Sequence, residues 1–524
     1  MIQRAHLGGV LLIGAEQRVG EGVGFRAHDP AAGVDLPELF PQATSKDVDD
    51  ACRLAANAFE ELLQIPDQAR ASFLEDLSCK LAASGDELIH RAMAETGLPE
   101  ARLRGERDRT VGQLRLFARE VCDGGFRDIR IDRGEDGGPD LRSWQMPLGP
   151  VAVFSASNFP LAFSVAGGDT ASALAAGCPV IVRAHPAHPG VSEIVGKIVQ
   201  ESVRASGLPH GTFSMLQGLG HGLGRELAMH DAIAAVAFTG SRSGGLALMQ
   251  LAAARTRPIP VYAEMSSINP VILLPGALEQ RSEALAHEFV ASLTLGAGQF
   301  CTNPGLVLAV DSPGLDRFIA SAGQEVAGSS CAPMLTPRIG AAYAEACAHR
   351  RTAPKVRQVA AAAPSEVQCG HPALFETDAS AFLASPALSK EVFGPASLVV
   401  RCSDLSALLT VIDALEGQLT GAIHFGEGDT EAFSATLPRL ERKVGRVIAN
   451  GFGTGVAVSP AMVHGGPFPA TSEGRSTSVG TMAARRFLRP VCYQDIPDEH
   501  LPTPLRHADG NQLRRPSSAR ARST

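Results

Sequence analysis

Between Pro147 and Phe238, short apolar runs alternate with helical stretches at a spacing that few folds can accommodate. Residues 151–154, 179–182, 212–216 and 234–238 read as strands. Residues 165–177, 190–206 and 222–230 read as the helices between them, the first ending on Gly177. A strand, a helix and a further strand in succession need a crossover, so the pattern predicts a parallel sheet covered by helices. That is an α/β fold of the dinucleotide-binding, Rossmann type. A second alternating region runs from Tyr262 to about Gly451 and predicts another α/β lobe, with a cleft between the two. Ligands in such sheets are expected at the carboxyl ends of the strands. Ahead of both lobes, residues 46–120 read as helices: Val48, Ala51, Ala55, Ala58 and Phe59 recur at helical spacing, as do Phe73, Leu77 and Leu81.

Length and charge narrow the function. A chain of 524 residues exceeds one ordinary core, and 45% hydrophobic residues are enough to bury a large one. The net charge of −8 argues against a nucleic-acid partner. The 10 cysteines form no CxxC pair, so they are expected to be reduced thiols without a disulfide framework or a metal site. No apolar run reaches the roughly 20 residues that span a bilayer. The apolar stretch 9–13 is short and reads as an N-terminal strand rather than a signal peptide. A cytoplasmic location is the expectation. Residues 124–140 are rich in Gly and Asp and fit a loop, a linker or an exposed hairpin. The arginine-bearing tail from about residue 506 reads as disordered.

Three segments carry chemistry in a fixed order: Ser157-Asn158-Phe159-Pro160, Tyr262-Ala263-Glu264-Met265 and Gly298-Gln299-Phe300-Cys301-Thr302. With PLGPVAVFSASNFPLAF (147–163), AFTGS (237–241), YAEMSSINP (262–270), GQFCTNPG (298–305), KEVFGP (390–395) and AMVHGGPFPAT (461–471), the chain resembles the aldehyde dehydrogenase superfamily from about residue 25 to 495. Its texture is most similar to the members that oxidise α-ketoglutarate semialdehyde, with EMSSINPV in place of the common ELGG pattern. The resemblance implies a cofactor domain at 1–127 and 145–262 and a catalytic domain at 263–477. It also implies a bridging element at 128–144 and 478–500 that joins subunits into a homodimer or homotetramer.

The residue types suit this reaction. Turning an aldehyde into a hydride donor needs a nucleophile, and Cys301 matches the family thiolate. Asn158 would supply a side-chain N–H to the developing alkoxide, with the backbone N–H of Cys301 as a second donor. Glu264 matches the base that activates water against the thioester, and burial would raise its pKa towards the working range. A retained Glu264 favours hydrolysis over transfer to CoA. A broad or medium-chain aldehyde dehydrogenase is the alternative activity. A catalytically silent member is opposed by the joint presence of Cys301, Asn158 and Glu264.

For the cofactor, NADP+ or NAD+, Gly240, Ser241 and Gly245 lie where small residues let a helix N-terminus approach a pyrophosphate. Glu391 and Phe393 match the contacts to the nicotinamide ribose. Where relatives carry Lys-Pro-x-Glu, this chain has Arg183-Ala184-His185-Pro186. Arg183 keeps a cation, and Pro186 removes a carboxylate that would repel a 2′-phosphate, so NADP+ should be tolerated and even preferred. The substrate is expected to be a carboxylate-bearing aldehyde. Arg109 is the candidate partner for its charge, with Phe159 as an apolar wall; Arg102, Arg104, Arg107 and Arg115 offer the competing reading of a solvated arginine-rich helix.

Overall fold

The computed structural model describes residues 7–20, 23–134, 138–363 and 369–506. One seven-stranded sheet runs in the order Val261–Glu264, Ala235–Thr239, Val151–Phe154, Val180–Arg183, Phe213–Leu216, Val10–Ile13 and Glu16–Val19. The first five strands are parallel, and the N-terminal hairpin closes the edge in antiparallel pairing. Every residue of Val151–Phe154 is buried, as a parallel strand covered on both faces requires. The helix Gly168–Ala176 stops at Gly177, whose φ of 95° is a left-handed cap that glycine adopts without strain. Chain order along the sheet reverses between Val151–Phe154 and Ala235–Thr239, and such a reversal opens a crevice at the carboxyl ends of the strands.

The second seven-stranded sheet runs Arg357–Ala361, Ala373–Asp378, Ala396–Cys402, Leu306–Val310, Pro270–Leu273, Gln418–His424 and Val444–Ala449. Only the first pair is antiparallel. Here the expected location of the chemistry needs correction. Cys301 precedes Leu306–Val310 and so sits at the amino end of its sheet, whereas Glu264 ends a strand of the first sheet. Carboxyl ends of one sheet therefore meet amino ends of the other.

Within 124–140 the described residues include paired strands rather than a linker. Arg130–Arg133 pairs with Asp140–Pro147, which pairs in turn with Leu488–Gln494, giving a three-stranded antiparallel sheet. The helix Glu100–Asp123 packs on Asp67–Ala82 and Gly168–Ala176 and carries Arg102 to Arg115 past the cleft. Just ahead of the tail, Thr503–Arg506 is a short helix, Leu505 is buried, and Arg142 donates to the Leu505 carbonyl at 2.8 Å. The tail itself, 507–524, lies outside the described residues. Among the described residues no helix is long and apolar enough to cross a membrane.

The expectation of uniformly reduced thiols is also corrected. Cys331 and Cys369, 38 residues apart, form a disulfide. The short strands Ala332–Pro333 and Cys369–Gly370 bring them together, which no local spacing announces.

Candidate active site

Cys301 follows a turn that the chain can make only under constraint. Gly296, Ala297 and Gly298 all have positive φ, and a side chain at Gly298 would meet the Gly394–Pro395 backbone at 2.4 Å. Ala297 in this region costs roughly 1–3 kcal/mol, which the surrounding packing must offset. Beyond the turn Asn269 fixes the backbone, its Nδ2 donating to the carbonyls of Cys301 (2.9 Å) and Asn303 (2.8 Å). Asn303 Nδ2 donates in turn to the Gly394 carbonyl at 3.1 Å. The SSIN segment thus holds the thiol's backbone in place.

Glu264 is anchored as firmly. Its carbonyl accepts from Gly240 N–H at 3.0 Å, and its neighbour Met265 N–H donates to Ala470 O at 2.7 Å. Its carboxylate is buried and meets three partners. Ser478 Oγ donates to Oε2 at 3.0 Å, His464 Nε2 lies 3.1 Å from Oε1, and the Cys301 thiol is the third. Burial alone would raise the pKa of Glu264, as the sequence suggested, but His464, Ser478 and Cys301 outweigh it and hold the carboxyl below its ordinary value. The direction expected from burial is therefore reversed. Burial, then the charges of Glu264 and Glu391, push the Cys301 thiol well up.

His464 is the functional residue the sequence reading missed. It is 1% exposed, and its Nε2 lies 3.5 Å from Cys301 Sγ as well as 3.1 Å from Glu264. The segment AMVHGGPFPAT was legible only as family texture; a lone histidine among small and apolar residues was the available signal.

Asn158 stands beside this group. Its Nδ2 donates to the Gln299 carbonyl at 3.0 Å, which uses one of its two amide hydrogens. Phe159 packs edge-on against Phe163 and Phe300 at 5.2 and 5.4 Å, forming an apolar wall. Arg109 runs along the same wall, its guanidinium 5.0 Å from the Phe163 ring centre. Nε donates to the Val456 carbonyl, while Nη1 and Nη2 are buried without a partner. Its arginine neighbours are otherwise occupied: Arg102 by Glu106 and Asn158 O, Arg104 by Glu100 and Asp86, Arg107 by Asp108, Arg115 by Glu75. Arg446, unremarked in the sequence, holds the same loop from the other side by donating to Gly453 and Gly455, and its charge also reaches Cys301.

Most of the residues expected to hold the cofactor follow the carboxyl ends of strands in the first sheet. Ser241 caps the helix Arg242–Ala253, accepting from Gly244 N–H, and Gly240 precedes it at the end of Ala235–Thr239. Gly245 has a different reason for being small. A side chain there would meet Met265 at 2.6 Å, so glycine lets the helix pack on its strand. Arg183 ends Val180–Arg183, on the far side of Val151–Phe154 from Ala235–Thr239, donates to the Gly220 carbonyl at 2.7 Å and leaves a buried Nε unpartnered. Burial alone lowers its pKa, with no carboxylate opposing the effect. Pro186, half-buried, follows in the turn before Pro189–Ala205. Glu391 and Phe393 lie on the other lobe before Ala396–Cys402. Burial pushes Glu391 up to about 8, with the Glu264 charge adding and a Ser267 backbone bond opposing. A crevice at the switch point, a capped helix start and a guanidinium with one free N–H fit a dinucleotide.

Residues 21–478 match the model of the aldehyde dehydrogenase family. The chain is 55% identical over 512 residues to alpha-ketoglutaric semialdehyde dehydrogenase 2 of Azospirillum brasilense, covering 96% of this chain and 97% of that one. It is 45% identical over 482 residues to alpha-ketoglutaric semialdehyde dehydrogenase of Acinetobacter baylyi, covering 91% of each. In fold it is similar to betaine aldehyde dehydrogenase from Staphylococcus aureus in complex with NAD+, with a TM-score of 0.82 at 19% identity over 94% of this chain and 95% of that one.

Proposed function

The chain belongs to the aldehyde dehydrogenase family, and on that premise we propose that it oxidises α-ketoglutaric semialdehyde to α-ketoglutarate. The observation that carries the substrate is Arg109: a buried cation with two free Nη groups, close enough to Cys301 for their charges to interact. An unpaired buried charge is costly, and a substrate carboxylate would relieve it. The two relatives named as alpha-ketoglutaric semialdehyde dehydrogenases support the same choice.

In this reading the Cys301 sulfur attacks the aldehyde carbon and the carbonyl pair moves onto oxygen, where the free Asn158 N–H and the Cys301 backbone N–H hold the charge. Bound NAD(P)+ supplies the hydride acceptor that converts this thiohemiacetal to a thioester. Glu264, still hydrogen-bonded to His464 and Ser478 once the sulfur is acylated, takes a proton from water as that water attacks the thioester carbon. The C–S bond breaks and the acid is released.

A charge-assisted bond to the substrate is worth roughly 1.5–3 kcal/mol. Arg109→Met is therefore expected to lower kcat/KM for acidic semialdehydes by about one to two orders of magnitude. Hexanal oxidation should be unchanged or improved. Equal losses on both substrates would make Arg109 structural and favour the broad-aldehyde activity.

The cofactor site is proposed to admit NADP+. Arg183 faces no carboxylate, and Pro186 stands where an acid would repel the 2′-phosphate. Measurable turnover with NADP+ is expected in a steady-state assay. Turnover with NAD+ alone, and none at millimolar NADP+, would show that another group blocks the phosphate. The three-stranded sheet has Arg130–Arg133 and Leu488–Gln494 as its two outer strands, and such edges suit pairing with a second copy in a homodimer or homotetramer. A cytoplasmic site of action completes the proposal.

A further inference from the structure

Beyond supporting the Glu264 carboxylate, His464 has no part in the steps above, yet it touches both groups that perform them. Its Nε2 is 3.1 Å from a Glu264 oxygen and 3.5 Å from Cys301 Sγ. Its Nδ1 is buried without a partner. A nitrogen placed between a carboxylate oxygen and a sulfur is best used as a donor, since a lone pair there would face another lone pair. An unpaired lone pair at Nδ1 is also easier to bury than an unpaired N–H. Nε2 therefore carries a proton. The ring is held in register by its own backbone, with His464 N–H donating to Thr477 Oγ1 at 2.8 Å and Ser478 N–H donating to His464 O at 2.8 Å.

We propose that His464 is a positioning residue whose single Nε2–H is shared between Glu264 and Cys301 and passes to the sulfur when the thiol ionises. The S–H bond breaks, its proton leaves to solvent, and the new thiolate accepts the N–H that the carboxylate had held. Without this donor, a thiolate would form beside Glu264 and Glu391, with only the more remote guanidinium groups of Arg109 and Arg446 opposing their charge. Esterification of the sulfur removes its charge, and the N–H returns to Glu264. As water expels the sulfur, the departing thiolate accepts it again. His464 thus aids both formation and departure of the thiolate, while the proton abstracted from water goes to Glu264.

The test is the pH dependence of Cys301 alkylation by iodoacetamide, read by mass spectrometry on the full chain without substrate. It is independent of which aldehyde is oxidised, so it stands or falls separately from the substrate proposal on which the stated reaction rests. His464→Phe should raise the alkylation midpoint by at least one pH unit, which is about tenfold less thiolate at a fixed pH below both midpoints. His464→Gln retains an N–H donor and should recover at least part of that shift. Glu264→Gln removes a neighbouring anion and should move the midpoint the opposite way, downwards. A His464→Phe profile that overlays the wild type overturns the proposal. So does a His464→Gln profile no better than that of His464→Phe, because the histidine would then act by accepting a proton rather than by donating one. Cofactor-binding fluorescence, measured on each variant, verifies the fold.

Discussion

Cys301→Ala is expected to abolish aldehyde oxidation, by on the order of 10⁴-fold or more, while NAD(P)+ binding stays close to wild type. The reason is spatial. Cys301 is held from the second sheet by Asn269, whereas Arg183, Gly240 and Ser241 are set by strands and a helix of the first. The cavity left by removing one sulfur is small and lies at a partly buried position, so global stability should change little. Turnover is checked by NAD(P)H formation and binding by fluorescence titration. Comparable turnover in the variant would remove the thiohemiacetal from the account. Loss of cofactor binding together with turnover would show that the two sites are not separable in this way.

The second large effect falls on deacylation. In Glu264→Gln the water-activating carboxylate is gone, but the thiol and Asn158 remain, so the first turnover should proceed and the thioester should accumulate. A rapid burst of about one NAD(P)H per active site, followed by slow steady turnover, is the expected trace in stopped flow. The pH dependence has a definite sign. Because its partners hold the wild-type Glu264 below the ordinary carboxylate range, the base is ionised throughout the neutral range, and deacylation should fail only as pH drops below that range. A wild-type steady rate in the variant would exclude Glu264 from the mechanism.

The first lobe was legible because its signal is local. Parallel strands buried on both faces are continuous apolar runs, so strands expected at 151–154, 179–182, 212–216 and 234–238 lie within a residue of Val151–Phe154, Val180–Arg183, Phe213–Leu216 and Ala235–Thr239. The features that escaped are those set by long-range contacts. Glu264 and His464 are 200 residues apart and Glu264 and Ser478 are 214 apart, so the hydrogen bonds that reverse the effect of burial on the carboxylate leave no trace near residue 264. Arg109 was one of several arginines on a helix. What distinguishes it is the location of the acids that occupy the others, on their own helix and on its neighbours, and the absence of any at its own Nη groups. The amino-end position of Cys301 follows from the strand order of the second sheet, which alternation alone does not specify. Gly245 was read for its size and order, and the sulfur of Met265 gives that size another cause.

The central claim is that a buried cation with two free Nη groups, within coulombic reach of the thiol, selects a carboxylate-bearing aldehyde. It is tested most directly by measuring kcat/KM of the wild-type chain for α-ketoglutaric semialdehyde and for hexanal under the same conditions with saturating cofactor. The account predicts at least a roughly tenfold to hundredfold advantage for the semialdehyde, the equivalent of one charge-assisted bond. Equal efficiency, or a preference for hexanal, would contradict it.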